Sequence, residues 1–261
     1  MASGIRNQYR KPRILTAAKR LVQALPYLRV LRPRRGGELR NLFDADFYRA
    51  ANPDLPKGIS PLLHFIAAGA FEGRQPHPLF DPAFYLRTYP DVSAAKVNPL
   101  GHFLRYGGTE GRLPHPLFDS AFYLDRYPDV RKTGMNPLVH FVLYGAAEGR
   151  KPHTLFQPDY YLSRCPEARS SKNPLLYFLS SNVESCGNPH LLFDCEYYLD
   201  RHPDLAVQGI NPLVHYVLAR HDIDAGTEGS CLFEASITPG DDLVDEREPA
   251  SLLIDPDAGG N

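Results

Sequence analysis

The sequence has no long unbroken apolar run. Its best candidate, Leu21–Leu31, is interrupted by Gln23, Pro26 and Arg29. A membrane span needs roughly twenty consecutive apolar residues, and a secretory leader needs an uninterrupted apolar core, so neither is expected. Cysteine is scarce: Cys165, Cys186, Cys195 and Cys231 all lie in the C-terminal half, with no C-x-x-C pair. A disulfide framework or zinc knuckle is not expected from that placement, and the thiols read as buried or incidental in a cytoplasmic protein. Charge of one sign is missing at each end. Residues 1–40 hold eleven Lys/Arg against the single acid Glu38, and residues 222–261 hold eleven Asp/Glu against the single base Arg247. The net charge of −1 therefore conceals a basic arm, a nearly neutral middle and an acidic tail.

Catalytic signatures are also missing. Gly107-Gly108-Thr109-Glu110-Gly111 lacks the G-x-G-x-x-G order, follows a helical rather than a strand pattern, and reads as a turn. Asp222-Ile223-Asp224 has the form of a metal-holding D-x-D pair, but no α/β nucleotide-binding region precedes it. No Ser or Cys stands in a nucleophile elbow. No catalytic, cofactor-binding or metal-ligating residue is assigned, and no cofactor is expected.

What the chain does have is a repeat. The stretch Leu117–Pro152 occurs five times in recognisable form, opened by Phe43, Phe80, Phe118, Phe156 and Phe193, a period of 37 or 38 residues. A fixed period of that length marks units that must stack to bury an apolar face. The expected fold is all-α: tandem helical hairpins stacked as a short solenoid, with flexible termini. The expected copies span about 42–78, 79–116, 117–154, 155–191 and 192–220, between a basic arm (1–40) and an acidic, disordered tail (221–261). In copy two, Asp81-Pro82 reads as an N-cap followed by proline at the first helical position, with Phe80 and Tyr85 as a hydrophobic staple. The first helix ends near Tyr89-Pro90-Asp91, and Pro90–Ala95 has room for one further turn.

Asn98-Pro99 opens a second helix, recurring as Ser60-Pro61, Asn136-Pro137, Asn173-Pro174 and Asn211-Pro212. Its buried face is Leu100, Phe103, Leu104 and Gly107, with equivalents Leu62, Phe65, Ile66, Gly69 and Leu138, Phe141, Val142, Gly145. The glycine is expected to end this helix in a left-handed conformation, with Asn182 in that role in copy four. The repeat degrades toward the C-terminus. Glu-Gly-Arg (Glu72–Arg74, Glu110–Arg112, Glu148–Arg150) becomes Ser185-Cys186-Gly187, and Arg220 replaces the glycine in copy five. Copy five reads as an end cap, with Leu232-Phe233-Glu234 the start of an incomplete sixth unit.

Histidine recurs in two registers: His64, His102, His140 and His215 in the second helix, and His77, His115, His153 and His190 in the Pro-His turn. Two such rows invite a metal reading. Copy four, however, has Tyr177 in the helix register, and no Cys or carboxylate recurs to complete a ligand shell. The favoured expectation is structural imidazoles bonded to carbonyls of the next unit. In the N-terminal arm, Ile14–Leu25 reads as a short basic amphipathic helix and Leu31–Arg40 as a linker. This arm suits a cap on the first copy or contact with an anionic membrane surface. Nucleic acid is not expected, since no aromatic stacking platform accompanies the basic residues.

The run F-D-x-x-[FY]-Y-L-x-x-x-P-D-V … N-P-L-x-H-[FY]-[LV] … G-x-x-E-G-R-x-P-H-P-L-F-D, read from Phe80 to Asp119 and again from Phe118, resembles helical repeats found beside glycosyltransferase domains in bacterial proteins of surface-polysaccharide synthesis. The resemblance covers residues 42–220. It implies a cytoplasmic location, with contact at the inner membrane face as a variant, and a non-catalytic scaffold that binds a protein (a glycosyltransferase among the candidates) or a glycan. The alternative is a truncated or accessory part of a glycosyltransferase enzyme. It transfers no catalytic residue to this chain.

Overall fold

The computed structural model describes residues 36–185 and 187–224. The helix expected at Ile14–Leu25, the sixth-unit start at Leu232, Cys186, Cys231 and the acidic tail beyond Asp224 lie outside the described residues. Within them the chain is helical, and extended pairing is confined to four isolated bridges: His77–Phe80, His115–Phe118, His153–Phe156 and His190–Phe193. Among the described residues no helix is long and apolar enough to cross a membrane. Gly36–Asn41, expected as linker, is instead helical. The reason is packing, because Leu39 and Leu42 are buried in the same core as copy one.

The capping grammar holds. Asp44, Asp81, Asp119 and Asp194 cap Ala45–Ala51, Pro82–Thr88, Ser120–Arg126 and Cys195–Arg201, each accepting one or two of the free N–H groups of the first turn. Gln157 holds that place before Pro158–Arg164 without a side-chain cap bond. Asn98, Asn136 and Asn173 cap Pro99–His102, Pro137–His140 and Pro174–Ser180 with their side-chain oxygens. Asn211 likewise accepts from the backbone N–H groups of Leu213 and Val214 at the start of Pro212–Asp224. Ser60 sits at the cap position of Pro61–His64 but makes no side-chain cap bond.

A copy holds more than a hairpin. Pro90–Ala95, Pro128–Thr133 and Pro203–Gln208 are each a separate short helix between the two expected ones, while copy four has a 3-10 turn there, Pro166–Ser170. Proline at the first helical position restarts the chain where it ended the previous helix. Gly134 and Gly209 stop these helices in the left-handed conformation, and Lys96, φ 51°, does so in copy two.

The second helix differs from expectation at its end. In copies one to three it widens after one turn into a π-helical stretch, Phe65–Gly69, Phe103–Gly107 and Phe141–Gly145. The widened turn is closed by bonds from Ala70, Gly108 and Ala146 N–H to the carbonyls five residues back, at 2.8–2.9 Å. Gly69, Gly107 and Gly145 are inside this helix, not at its left-handed end. A Cβ at any of them would fall on the phenol oxygen of Tyr48, Tyr85 or Tyr123. The left-handed stop comes four residues later, at Gly73, Gly111 and Gly149 of the Glu-Gly-Arg motif, with φ +74°, +79° and +68°. Arg74, Arg112 and Arg150 then donate backbone N–H bonds to the Gly69, Gly107 and Gly145 carbonyls at 2.8 Å, the six-to-one closure of a Schellman cap. In copy four, Pro174–Ser180 is an ordinary α-helix ended by Ser181 in extended conformation, so Asn182 is not a left-handed stop either.

Copies one to four are each closed on themselves by one bond. The backbone N–H of Asp44, Asp81, Asp119 and Gln157 donates to the carbonyl of Pro76, Pro114, Pro152 and Pro189 at 2.9–3.0 Å. The opening phenylalanine packs between the two main helices. Phe80 lies 5.6 Å from both Tyr85 and Phe103, and Tyr85 meets Phe103 edge-on at 5.9 Å. The equivalent triplets recur in the other four copies. Between copies two and three, the Asn136 side-chain amide donates to the Phe103 carbonyl at 3.2 Å, and Gly108 leaves room for that amide. The buried residues of all five copies form one continuous core.

Candidate functional site

The two histidine rows have separate tasks. In the helix register, Nδ1 of His64, His102, His140 and His215 shares a hydrogen bond of 2.9–3.0 Å with the hydroxyl of Tyr48, Tyr85, Tyr123 and Tyr198. The partner is a tyrosine of the same copy, not a carbonyl of the next unit as expected. The first helix delivers a tyrosine that reaches past the core, and its polar tip meets the ring as it emerges at the flank of the second helix. Burial raises the pKa of Tyr48, Tyr85 and Tyr123 and lowers that of His102, His140 and His215, keeping both partners neutral.

In the turn register, Nδ1 of His77, His115, His153 and His190 accepts from the backbone N–H of Leu79, Leu117, Leu155 and Leu192, each at 3.1 Å. The carbonyl of the same histidine accepts from the opening phenylalanine N–H at 3.0–3.2 Å. An N–H donating to Nδ1 requires a neutral ring with its proton on Nε2. Burial supports that state, pushing His77 and His153 down to about 4 and His115 to about 3. Asp44 and Asp119 oppose the shift at His77 and His153, while His77 and His153 reinforce it at His115. Among the described residues no group of three or more His, Cys, Asp and Glu is placed to hold a metal ion.

The recurring Asp, Glu and Arg residues bond within their copy. Arg112 pairs with Asp91 and Glu110, both at 2.8 Å, and lies 4.9 Å over the Tyr89 ring, whose hydroxyl accepts from Leu113 N–H. Arg150 repeats this with Asp129, Glu148 and Tyr127. Arg74 does so with Asp54, Glu72 and the Asn52 side chain. The guanidinium holds the carboxyls of Asp54, Asp91 and Asp129 below their ordinary range. The Gly107–Gly111 run is the helix end and its turn, as expected. Cys165 is half-buried and Cys195 buried, both as free thiols. Asp222-Ile223-Asp224 forms the end of the last helix, and its side chains lie outside the described residues.

One concave feature is not a property of a single copy. The helix Pro212–Asp224 comes back against copies two and three, bringing His221 within 5.6 Å of the Phe84 ring. A cleft of about 390 Å³ opens along this contact. It is lined by the apolar residues Phe84, Leu113, Pro116, Leu155, Val217 and Leu218 and by the polar residues Asp119, His153, Thr154, Tyr216, Arg220 and His221. Several of these break the repeat. Tyr216 stands where copies one to four have Phe65, Phe103, Phe141 and Phe178. Arg220 stands in the glycine register, and Thr154 stands where copies one and two have Pro78 and Pro116. Sequence reasoning recorded Arg220 only as degradation, although departures from an otherwise regular period were the one available signal. No protein-family model matches the chain, and no curated protein and no solved structure is similar to it.

Proposed function

We propose that residues 42–220 form a short solenoid of stacked copies that acts as a non-catalytic interaction module in bacterial surface-polysaccharide assembly, binding a glycan or a protein of that machinery such as a glycosyltransferase. The observation that carries the interaction reading is a division of labour along the period. Polar residues that recur are spent on the frame itself: the helix-row histidines and the Asp–Arg–Glu clusters bond inside their own copies, and the turn-row histidines bond to the opening residues of the next copy. Polar residues that depart from the period, Thr154, Tyr216 and Arg220, gather on one cleft lined by copies two to five. A frame made of repeats with its exceptions collected at one place suits binding by an assembled array. The resemblance of the Phe80–Asp119 motif supplies the polysaccharide context and the cytoplasmic location.

The test has two parts. The purified chain is incubated with nucleotide-sugars and acceptor glycans, and the chain cross-linked in its producing cell is analysed for its neighbours. No sugar transfer, with cross-links to a glycosyltransferase or to polysaccharide, is the expected result. Transfer by the chain alone would overturn the scaffold reading and favour the enzyme alternative.

A further inference from the structure

We infer that the cleft between the last helix and copies two and three is a carbohydrate site that takes one uncharged sugar residue of a glycan chain. This deepens the interaction reading and rests on it. The volume of about 390 Å³ falls within the ~300–1,000 Å³ of ligand pockets that combine apolar walls with a few placed polar groups. Size alone selects nothing, so the class of ligand has to come from the lining.

The apolar part includes Phe84, which is buried, and Val217, which is half-buried. Such a floor suits a flat ligand face bearing C–H groups. The polar part carries one carboxylate, Asp119, and one guanidinium, Arg220, so their formal charges cancel and nothing in this pair favours a strongly charged ligand. Around them stand the Thr154 hydroxyl and the His221 ring. Asp119 is half-buried and its Oδ1 accepts from the Phe122 N–H at 2.9 Å. That bond fixes the carboxylate in place and leaves lone pairs able to accept from a ligand. Arg220 and Thr154 are exposed at the rim. An apolar face in the same cleft as donors and acceptors of balanced charge matches a pyranose, which has C–H groups on one face and hydroxyls at its edge. The Phe84–His221 contact also makes the site depend on the array, because its halves come from copies far apart in sequence.

The experiment uses the full chain on an array of bacterial oligosaccharides, followed by titration of the tightest binder with amide chemical shifts as readout. Binding is expected, with shifts confined to the segments around Phe84, Asp119, Thr154 and Tyr216–His221. Arg220→Gln and Thr154→Val, both at exposed positions, should each weaken it by about tenfold through loss of ligand hydrogen bonds, with unchanged melting temperature. An array with no bound glycan overturns the inference. So does binding that neither variant weakens, or shifts that map to other segments. If cross-links to a glycosyltransferase persist while the array stays empty, only the carbohydrate site fails and the interaction reading stands.

Discussion

Replacing Gly107 by alanine should be costly because of one atom, the Tyr85 hydroxyl oxygen. A Cβ at position 107 falls on that oxygen and lies 3.3 Å from Tyr85 Cζ and 3.4 Å from Phe103 Cδ2. Tyr85 is fully buried among Phe80, Phe103 and Tyr89, so the ring cannot swing away without opening the core. Overpacking of this kind costs about 1–3 kcal/mol. Losing the Tyr85–His102 bond, 3.0 Å long, adds about 1–3 kcal/mol. The higher helix propensity of alanine returns about 1 kcal/mol. The net expectation for Gly107→Ala is a loss of roughly 1–5 kcal/mol.

A glycine needed only as a left-handed helix stop would also resist substitution, so the single variant does not discriminate. The double variant does. Tyr85→Phe alone should cost about 1 kcal/mol. Combined with Gly107→Ala it removes the oxygen that the methyl collides with, so the double should be more stable than Gly107→Ala alone, with a coupling of about 2 kcal/mol. Urea unfolding of the four chains, followed by far-ultraviolet circular dichroism, measures this. Additive losses would refute the steric argument.

The turn histidines give a pH dependence with a defined sign. His77, His115 and His153 are held neutral in the fold, at about 4, 3 and 4, and recover an ordinary value of about 6.5 when unfolded. Their contribution is therefore complete above about pH 6.5 and is lost as the pH falls toward 4. Three such groups give a slope of up to ~4 kcal/mol per pH unit in that window. His115→Asn retains an acceptor for the N–H two residues on and should reduce the slope by about one proton. Melting temperatures that are flat from pH 7 to 5 would contradict the neutral-ring assignment. Lys96→Gly should stabilise the chain by roughly 0.5–1 kcal/mol by relieving a left-handed lysine where copies three and five have Gly134 and Gly209. Equal or lower stability in thermal melts would show that strain at Lys96 is negligible.

The elements marked by local chemistry could be read in advance. Asp81-Pro82 and Asn98-Pro99 form caps because their side chains reach N–H groups three residues away, a relation contained in the sequence. The Phe80–Tyr85 staple is equally local. The role of Gly107 was not readable in this way. Periodicity shows that position 107 faces inward but not that a tyrosine oxygen from the first helix of the copy occupies the space beside it. The left-handed stop lies four residues further on, at Gly111. The histidine partners were misjudged for the same reason: Tyr85 and His102 meet through tertiary packing, seventeen residues apart. The cleft was furthest from view, since it forms only where Pro212–Asp224 returns to Phe84.

Stability as a function of copy number tests the central claim most directly. The helices of one copy run only six to nine residues in copies one to three, the π-helical stretch counted with the helix it extends, too short to persist alone. Their buried faces belong to a core that runs through all five copies. Chains of one, two and three central copies starting at residue 79 should pass from unfolded to cooperatively folded, with melting temperature rising at each addition. A single copy spanning residues 79–116 that melts sharply as a monomer would contradict the stacked array.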